Sequence, residues 1–195
     1  MNDETRKHVM LKPNAERIQA ALYHTMQEAK RRGQYADQYR LVKTLFLADR
    51  AHLNEWGRPI TYDNYSAMLH GPVPSLAYDF LKPNADKLRK HGIASLPWTS
   101  VEKSKSVRHF FPIDNAFDVE QYLSPSDLEA LDVALGMVLR LGFDQLRKLT
   151  HEDPAYLDAW REDGGKAAYN MKLGLLFERP DFEKAEMLAE YSPYV

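Results

Sequence analysis

Apolar positions along the chain recur mostly at helical spacing. Between Asn14 and Gly33 the residues Ile18, Ala21, Leu22, Met26 and Ala29 fall three and four apart, which places them on one helix face. Asn14 is a capping acceptor at the start and Gly33 a stop at the end. A second helix is expected from about Ala36 to Trp56, with Tyr39, Val42, Leu45, Phe46 and Leu53 on one side and Gly57 closing it. "GRPIT" then reads as a turn. Tyr65 to His70 carries no helical stripe and tolerates extended backbone, so it is expected as a strand. The next helix begins near Ser75, with Ser75 as cap or Pro74 in the first turn. Pro83 and Asn84 interrupt it, and "NADKLRKHG" continues for a turn or two before Gly92.

"LPWTSVEK" and "SVRHFFPI" flank "KSKS" at the spacing of a hairpin, and with the Tyr65 strand they are expected to form one small sheet. Ser124, Pro125 and Asp127 supply a cap, a first-turn proline and an acidic third position before the stripe Leu128, Leu131, Leu135 and Val138. Beyond Gly142 the pattern predicts a short helix to Thr150, a corner at "HEDP", a second short helix to Arg161 and a helix late in residues 166–192. No repeat, low-complexity segment or dividing linker interrupts the chain. The expected class is α+β and predominantly α-helical: a compact helical domain with a small antiparallel sheet of about three strands, taking residues 1–195 as a single domain.

Composition narrows the chemistry. Apolar residues make up 44% of the chain and charged residues 28%, the balance of a soluble globular protein rather than a disordered one. Cysteine is absent, which excludes disulfides, thiolate catalysis and Cys-based zinc sites and fits a reducing compartment. The start, "MNDETRKHVMLKPN", is charged where a signal peptide needs an apolar stretch, and no later run reaches membrane-span length. A cytoplasmic protein without membrane contact is expected. The net charge of −2 conceals polarity: residues 1–113 hold 18 Lys and Arg against 11 Asp and Glu, and residues 114–195 hold 8 against 17. Such polarity reads either as solvated helix faces or as surfaces complementary to charged partners.

A metal hydrolase would need Asp49, His52, Asp63, His70, His151 and Asp153 to converge, yet no "HExxH" or comparable spacing supports that. Asp49 and His52, three apart on a helix, read more simply as a surface pair or as hydrogen-bonding partners of a neighbouring turn. No G-x-S-x-G elbow, P-loop or dinucleotide fingerprint occurs. "HGPVP", His70 to Pro74, precedes a helix start, where amides attract anions, but Pro72 and Pro74 lack the N–H groups that cradle a phosphate. Both prolines hold their predecessors extended, so this stretch reads as a stiff corner. "KRR" at Lys30 to Arg32 and "KLRKHG" from Lys87 are short and sit at helix ends, where cations complement the macrodipole; no nucleic-acid signature accompanies them and no nucleic-acid binding is expected. Tyr62, Tyr65, Tyr78, Phe80, Trp98, Phe110 and Phe111 gather around the predicted sheet, as core or, for some, as docking anchors.

The run Leu41 to Leu81 resembles the SocA-like antitoxin family, also called the Panacea domain and formerly the phage-associated GepA-like proteins. The resemblance rests on Lys43, Leu45, Leu47, Ala48 and Asp49; on Gly57, Arg58, Pro59, Ile60 and Thr61; on Ala67, Met68, Gly71, Pro72, Val73 and Pro74; and on Tyr78 with Asp79. "LTHEDPAYLDAW", Leu149 to Trp160, is similar to a later family segment. No DNA-binding or zinc-binding extension accompanies it, so autoregulation by this chain alone is not expected. The resemblance implies an α-rich domain that neutralises a cognate toxin by direct contact, without a catalytic residue, metal or cofactor. It also implies a second mode in which the domain is an adaptor delivering its toxin to a Clp protease. Asp49, Arg58, Asp63, His70 and His151 are the candidate binding residues, as polar groups at or beside stiff turns. Asp49 and His151 are expected to hold those turns by hydrogen bonds.

Overall fold

The computed structural model describes residues 9–82, 85–105, 107–161 and 165–194. Its central element is a helix buried on both sides. Helix α1 (Ala15–Arg31) starts where the Asn14 side chain accepts from the Arg17 amide at 2.9 Å. Helix α2 (Gln38–Trp56) is capped by Asp37 and closed by Gly57, whose φ of 76° lies in the left-handed region. One side of α2 sends Leu41, Val42, Leu45 and Ala48 into a core shared with Ile18, Leu22 and Met26 of α1 and with Leu131 and Leu135 of α5 (Pro125–Arg140). Its other side sends Phe46 and Leu53 into a second core with Tyr156, Met171 and Phe177. Each fully buried aliphatic or aromatic side chain contributes roughly 1.5–3 kcal/mol, so α2 is held mainly by packing.

Three short helices, α3 (Ser75–Phe80), α4 (Ala85–Lys90) and α7 (Pro154–Ala159), join α6 (Phe143–His151) and α8 (Phe182–Tyr191) around this centre. The interruption expected at Pro83 and Asn84 lies outside the described residues. Among the described residues no helix is long and apolar enough to cross a membrane.

The fold is α+β and mostly helical, but its strands form two sheets where one was expected. Strands β4 (Trp98–Ser104) and β5 (Val107–Pro112) make the hairpin, with a bulge between Glu102 and Ser104, and β5 also pairs with β1 (Ala36–Asp37). Strand β2 (Tyr65–Met68) joins instead to β3 (Gly71–Pro74) and β6 (Tyr169–Asn170). "HGPVP" is therefore more than a corner. Its last four residues turn back on β2 through Leu69 and His70, with Met68 opposite Gly71 and Tyr65 opposite Pro74. The prolines are tolerated because β3 is an edge strand of its sheet.

Gly71 is required at its position for two reasons. Its φ is 97°, and a Cβ built on it would lie 2.7 Å from Lys43 Nζ and 2.7 Å from Thr150 Oγ1. Strain and overpacking act together, so Gly71→Ala is expected to lower the unfolding free energy by about 2–3 kcal/mol. Urea denaturation measures it, and an unchanged midpoint refutes the packing argument.

Candidate functional site

Lys43, Thr44, Asp49 and His52 are the buried polar residues of α2, and Lys43 and Asp49 are tied to different turns. Lys43, fully buried, donates from Nζ to the Pro72 carbonyl at 2.8 Å and so holds β3 against the helix. Burial pushes its amine down to about 7. Asp49, one turn and a half further on, accepts from the amides of Ile60 (2.7 Å) and Thr61 (3.0 Å), from the Thr61 hydroxyl and from the Tyr65 hydroxyl (2.7 Å). It clamps "GRPIT" to the helix. Burial raises its pKa against the pull of these donors, and burial with the neighbouring Asp49 raises Tyr65 well above the usual phenol range.

Asp63 caps a helix to which it does not belong. Helix α3 has no capping side chain at Pro74, and Ser75 pairs with Ser66 rather than capping. Its Leu76 and Ala77 amides donate to Asp63 Oδ1 at 3.0 Å and Oδ2 at 2.8 Å. The Asn64 amide donates to Oδ1 as well, and Thr61 Oγ1 accepts from the Asp63 amide at 3.1 Å. Burial pushes Asp63 up to about 7 despite its three donors.

Arg58 belongs to a separate cluster centred on Asp127. Asp127 is buried at the start of α5, in a capping box with Ser124, and meets Arg17 Nη2 at 2.8 Å, Arg58 Nη1 at 2.9 Å and His52 Nε2 at 3.2 Å. Burial opposes ionisation there, but the Arg58 contact, the Ser124 hydrogen bonds and the Arg17 charge outweigh it and hold Asp127 below its ordinary pKa. His52 Nδ1 lies 2.8 Å from the Arg58 carbonyl, which can only accept, so Nδ1 carries the proton. Arg17 also donates to the carbonyls of Ile60 and Tyr122, both at 2.6 Å.

His70 is exposed, with its ring 5.6 Å edge-on from Phe143. His151 packs on Tyr156 at 4.4 Å between ring centres, behind Gly71. Asp49 and Asp63 are thus linked through Thr61, whereas the Asp127 cluster and the two histidines lie elsewhere. Among the described residues no group of three or more His, Asp or Glu side chains could hold a metal ion. Asp153 caps α7 and pairs with Arg50 at 2.6 Å.

A cleft of about 920 Å³ opens beside Lys43, between the first turns of α2, the β2–β3 turn, the end of α3 and the β4–β5 hairpin. Tyr39, Val42, Met68 and Val73 line it, with His70 at its edge. Of the seven aromatics around the predicted sheet, Tyr62, Tyr65, Phe80, Trp98 and Phe110 are core, whereas Tyr78 lines this cleft. Tyr39 is pushed up to about 12 by burial, and its hydroxyl has no hydrogen-bond partner among the described residues. Periodicity marks Tyr39 only as core, and the cleft draws on segments more than a hundred residues apart, so nothing local announces it.

The clamp made by Asp49 carries a measurable cost. Asp49→Ala leaves the Ile60 and Thr61 amides and the Thr61 hydroxyl without their acceptor in a buried setting, the Tyr65 hydroxyl keeping only the Leu45 carbonyl, and a loss of about 2–3 kcal/mol is expected on urea unfolding. Asp49→Asn, which retains one acceptor oxygen, should lose less.

Comparison with known proteins gives one family. A family model described as antitoxin SocA-like, Panacea domain, matches residues 41–156, which takes in most of α2, the β2–β3 hairpin, the β4–β5 hairpin, α5 and the Asp153 corner. No curated protein and no solved structure matches the chain.

Proposed function

Because the chain belongs to the antitoxin SocA-like, Panacea domain family, we propose that it is the antitoxin of a two-gene toxin–antitoxin system and neutralises its toxin by direct protein contact. The match over residues 41–156 is the observation that carries this reading. The positions that bear the resemblance support it in a second way. Lys43 and Asp49 are spent on holding turns to α2, and Gly71 lets β3 pack close against Lys43 and Thr150, so the recognisable residues build a scaffold rather than a reaction centre. A scaffold of this kind suits a binding protein, whose function is carried by the shape and charge of the surface that it holds up. We take the domain as extending over the whole of residues 1–195.

Expression of the neighbouring gene, alone and together with this chain, tests the proposal. The neighbour alone should arrest growth, co-expression should restore it, and the two products should co-purify. A neighbour that is harmless alone overturns the reading. Restored growth with toxin levels that fall only when a Clp protease is present would replace simple neutralisation by delivery to that protease.

A further inference from the structure

The cleft beside Lys43 combines two features that the scaffold does not use. Its floor is apolar, from Val42, Met68, Val73 and Leu81, and its mouth carries the exposed Leu69 (58% exposed) and Val107 (39%). Apolar side chains left in solvent around a concave surface mark a place where another molecule is covered. Its rim is cationic: Lys82, Lys105, Arg108, Arg161 and Lys166 come from three parts of the chain, and among the described residues Glu102 is the one acidic side chain in the lining.

Among the described residues little of that charge is paired with a carboxylate. Arg108 reaches Glu102 at 3.4 Å, and Lys82 lies 3.7 Å over the Tyr78 ring. Among the described residues, Lys105 and Lys166 meet no acidic side chain at ion-pair distance. The deepest amine, Lys43, is committed to the Pro72 carbonyl, and burial weakens its hold on a proton. Positive charge is thus concentrated around the mouth of the cleft, and the amine at its floor is held to a carbonyl.

A free phosphate or nucleotide asks for the opposite arrangement, with donors converging at depth. The β3 wall offers few, since Pro72 and Pro74 have no N–H. From this arrangement we infer that the cleft receives a segment of a partner protein in which acidic and apolar side chains alternate, the apolar ones seated on Val42, Met68 and Val73 and the carboxylates meeting the rim. This deepens the antitoxin reading and rests on it: the segment belongs to the toxin. Charge complementarity would set approach rate and partner choice, and the apolar floor the lifetime of the complex.

A fluorescein-labelled twelve-residue peptide of alternating Glu and Leu tests the cleft without the toxin, by anisotropy on the full chain. It should bind, and its Lys–Leu counterpart should not. Lys105→Glu with Lys166→Glu should weaken binding about tenfold or more, as should 0.5 M salt, because exposed charge attraction is screened. Leu69→Asp should weaken it comparably. All three positions are exposed, and an unchanged melting temperature certifies the fold. Failure of the Glu–Leu peptide to bind, or binding that neither variant alters, overturns the inference. Displacement of the peptide by ATP or inorganic phosphate at lower concentration overturns it in favour of a small anion. A harmless neighbouring gene would remove the antitoxin reading while leaving the peptide result standing, so the two failures are separable.

Discussion

Asp127→Ala is expected to lower the unfolding free energy by about 3–5 kcal/mol, the range found when one partner is removed from a buried ionic cluster. The substitution leaves Arg17 and Arg58 facing each other's charge with no anion between them, and both are largely withdrawn from water. It also dismantles the capping box of α5, in which Asp127 Oδ2 accepts from the Ser124 amide and hydroxyl. Because Arg17 binds the carbonyls of Ile60 and Tyr122, the damage spreads from α5 to the turn that Asp49 holds. Urea unfolding followed by circular dichroism measures the loss. Asp127→Asn keeps an acceptor for the cap while removing the charge, and an intermediate loss is expected. A loss below about 1 kcal/mol for the alanine variant would mean that the cluster is solvated and behaves as a surface pair.

The dependence of stability on pH should show an alkaline limb that belongs to Lys43. Its amine falls from 10.5 to about 7 on folding, so the folded chain binds fewer protons than the unfolded chain between those values. The contribution is whole above 10.5 and is lost as pH falls toward 7. From pH 7 to pH 9.5 the native state should therefore gain on the order of 3 kcal/mol from this group. Asp63 has the opposite slope. Its carboxyl rises from 3.8 to about 7, so its contribution is whole below 3.8 and is lost as pH climbs toward 7. The two together give a minimum near neutrality. Urea midpoints at pH 7 and 9.5 for the natural chain and for Lys43→Met decide it. The natural chain should rise and the variant stay level; parallel curves would show that Lys43 keeps its proton in the fold. Loss of the Pro72 partner offsets the variant at every pH and leaves the slope untouched.

Helices were legible in the sequence because their signals are local. The Asn14 cap, the Gly57 stop and the Ser124–Asp127 box can each be read from a few residues, and all three are where the periodicity puts them. Sheet partners were not, because pairing is a long-range choice. Nothing near Tyr65 says that it faces Pro74 on one side, and nothing near Ala67 says that it faces Tyr169 on the other. The prolines of β3 argued against a strand, and only its edge position makes one possible. Of the candidate site, Asp49, Arg58 and Asp63 were visible as polar residues beside turns, but not the partners that give them meaning. Arg17 was hidden entirely, a charged residue on a helix whose apolar stripe drew the reading elsewhere. Asp127 was legible as a cap and illegible as the meeting point of two guanidinium groups and an imidazole.

The cap that Asp63 places on α3 bears on how the molecule comes apart. Six residues are too few for a helix to persist in water, and this one has no capping side chain of its own at Pro74. Its first turn exists only while the chain between Asp63 and Leu76 is doubled back as the β2–β3 hairpin. That hairpin is in turn pinned by Lys43 from α2. Helix α3 and the hairpin are therefore a single cooperative unit that opens or closes together, and the wall of the cleft they share is either fully formed or absent.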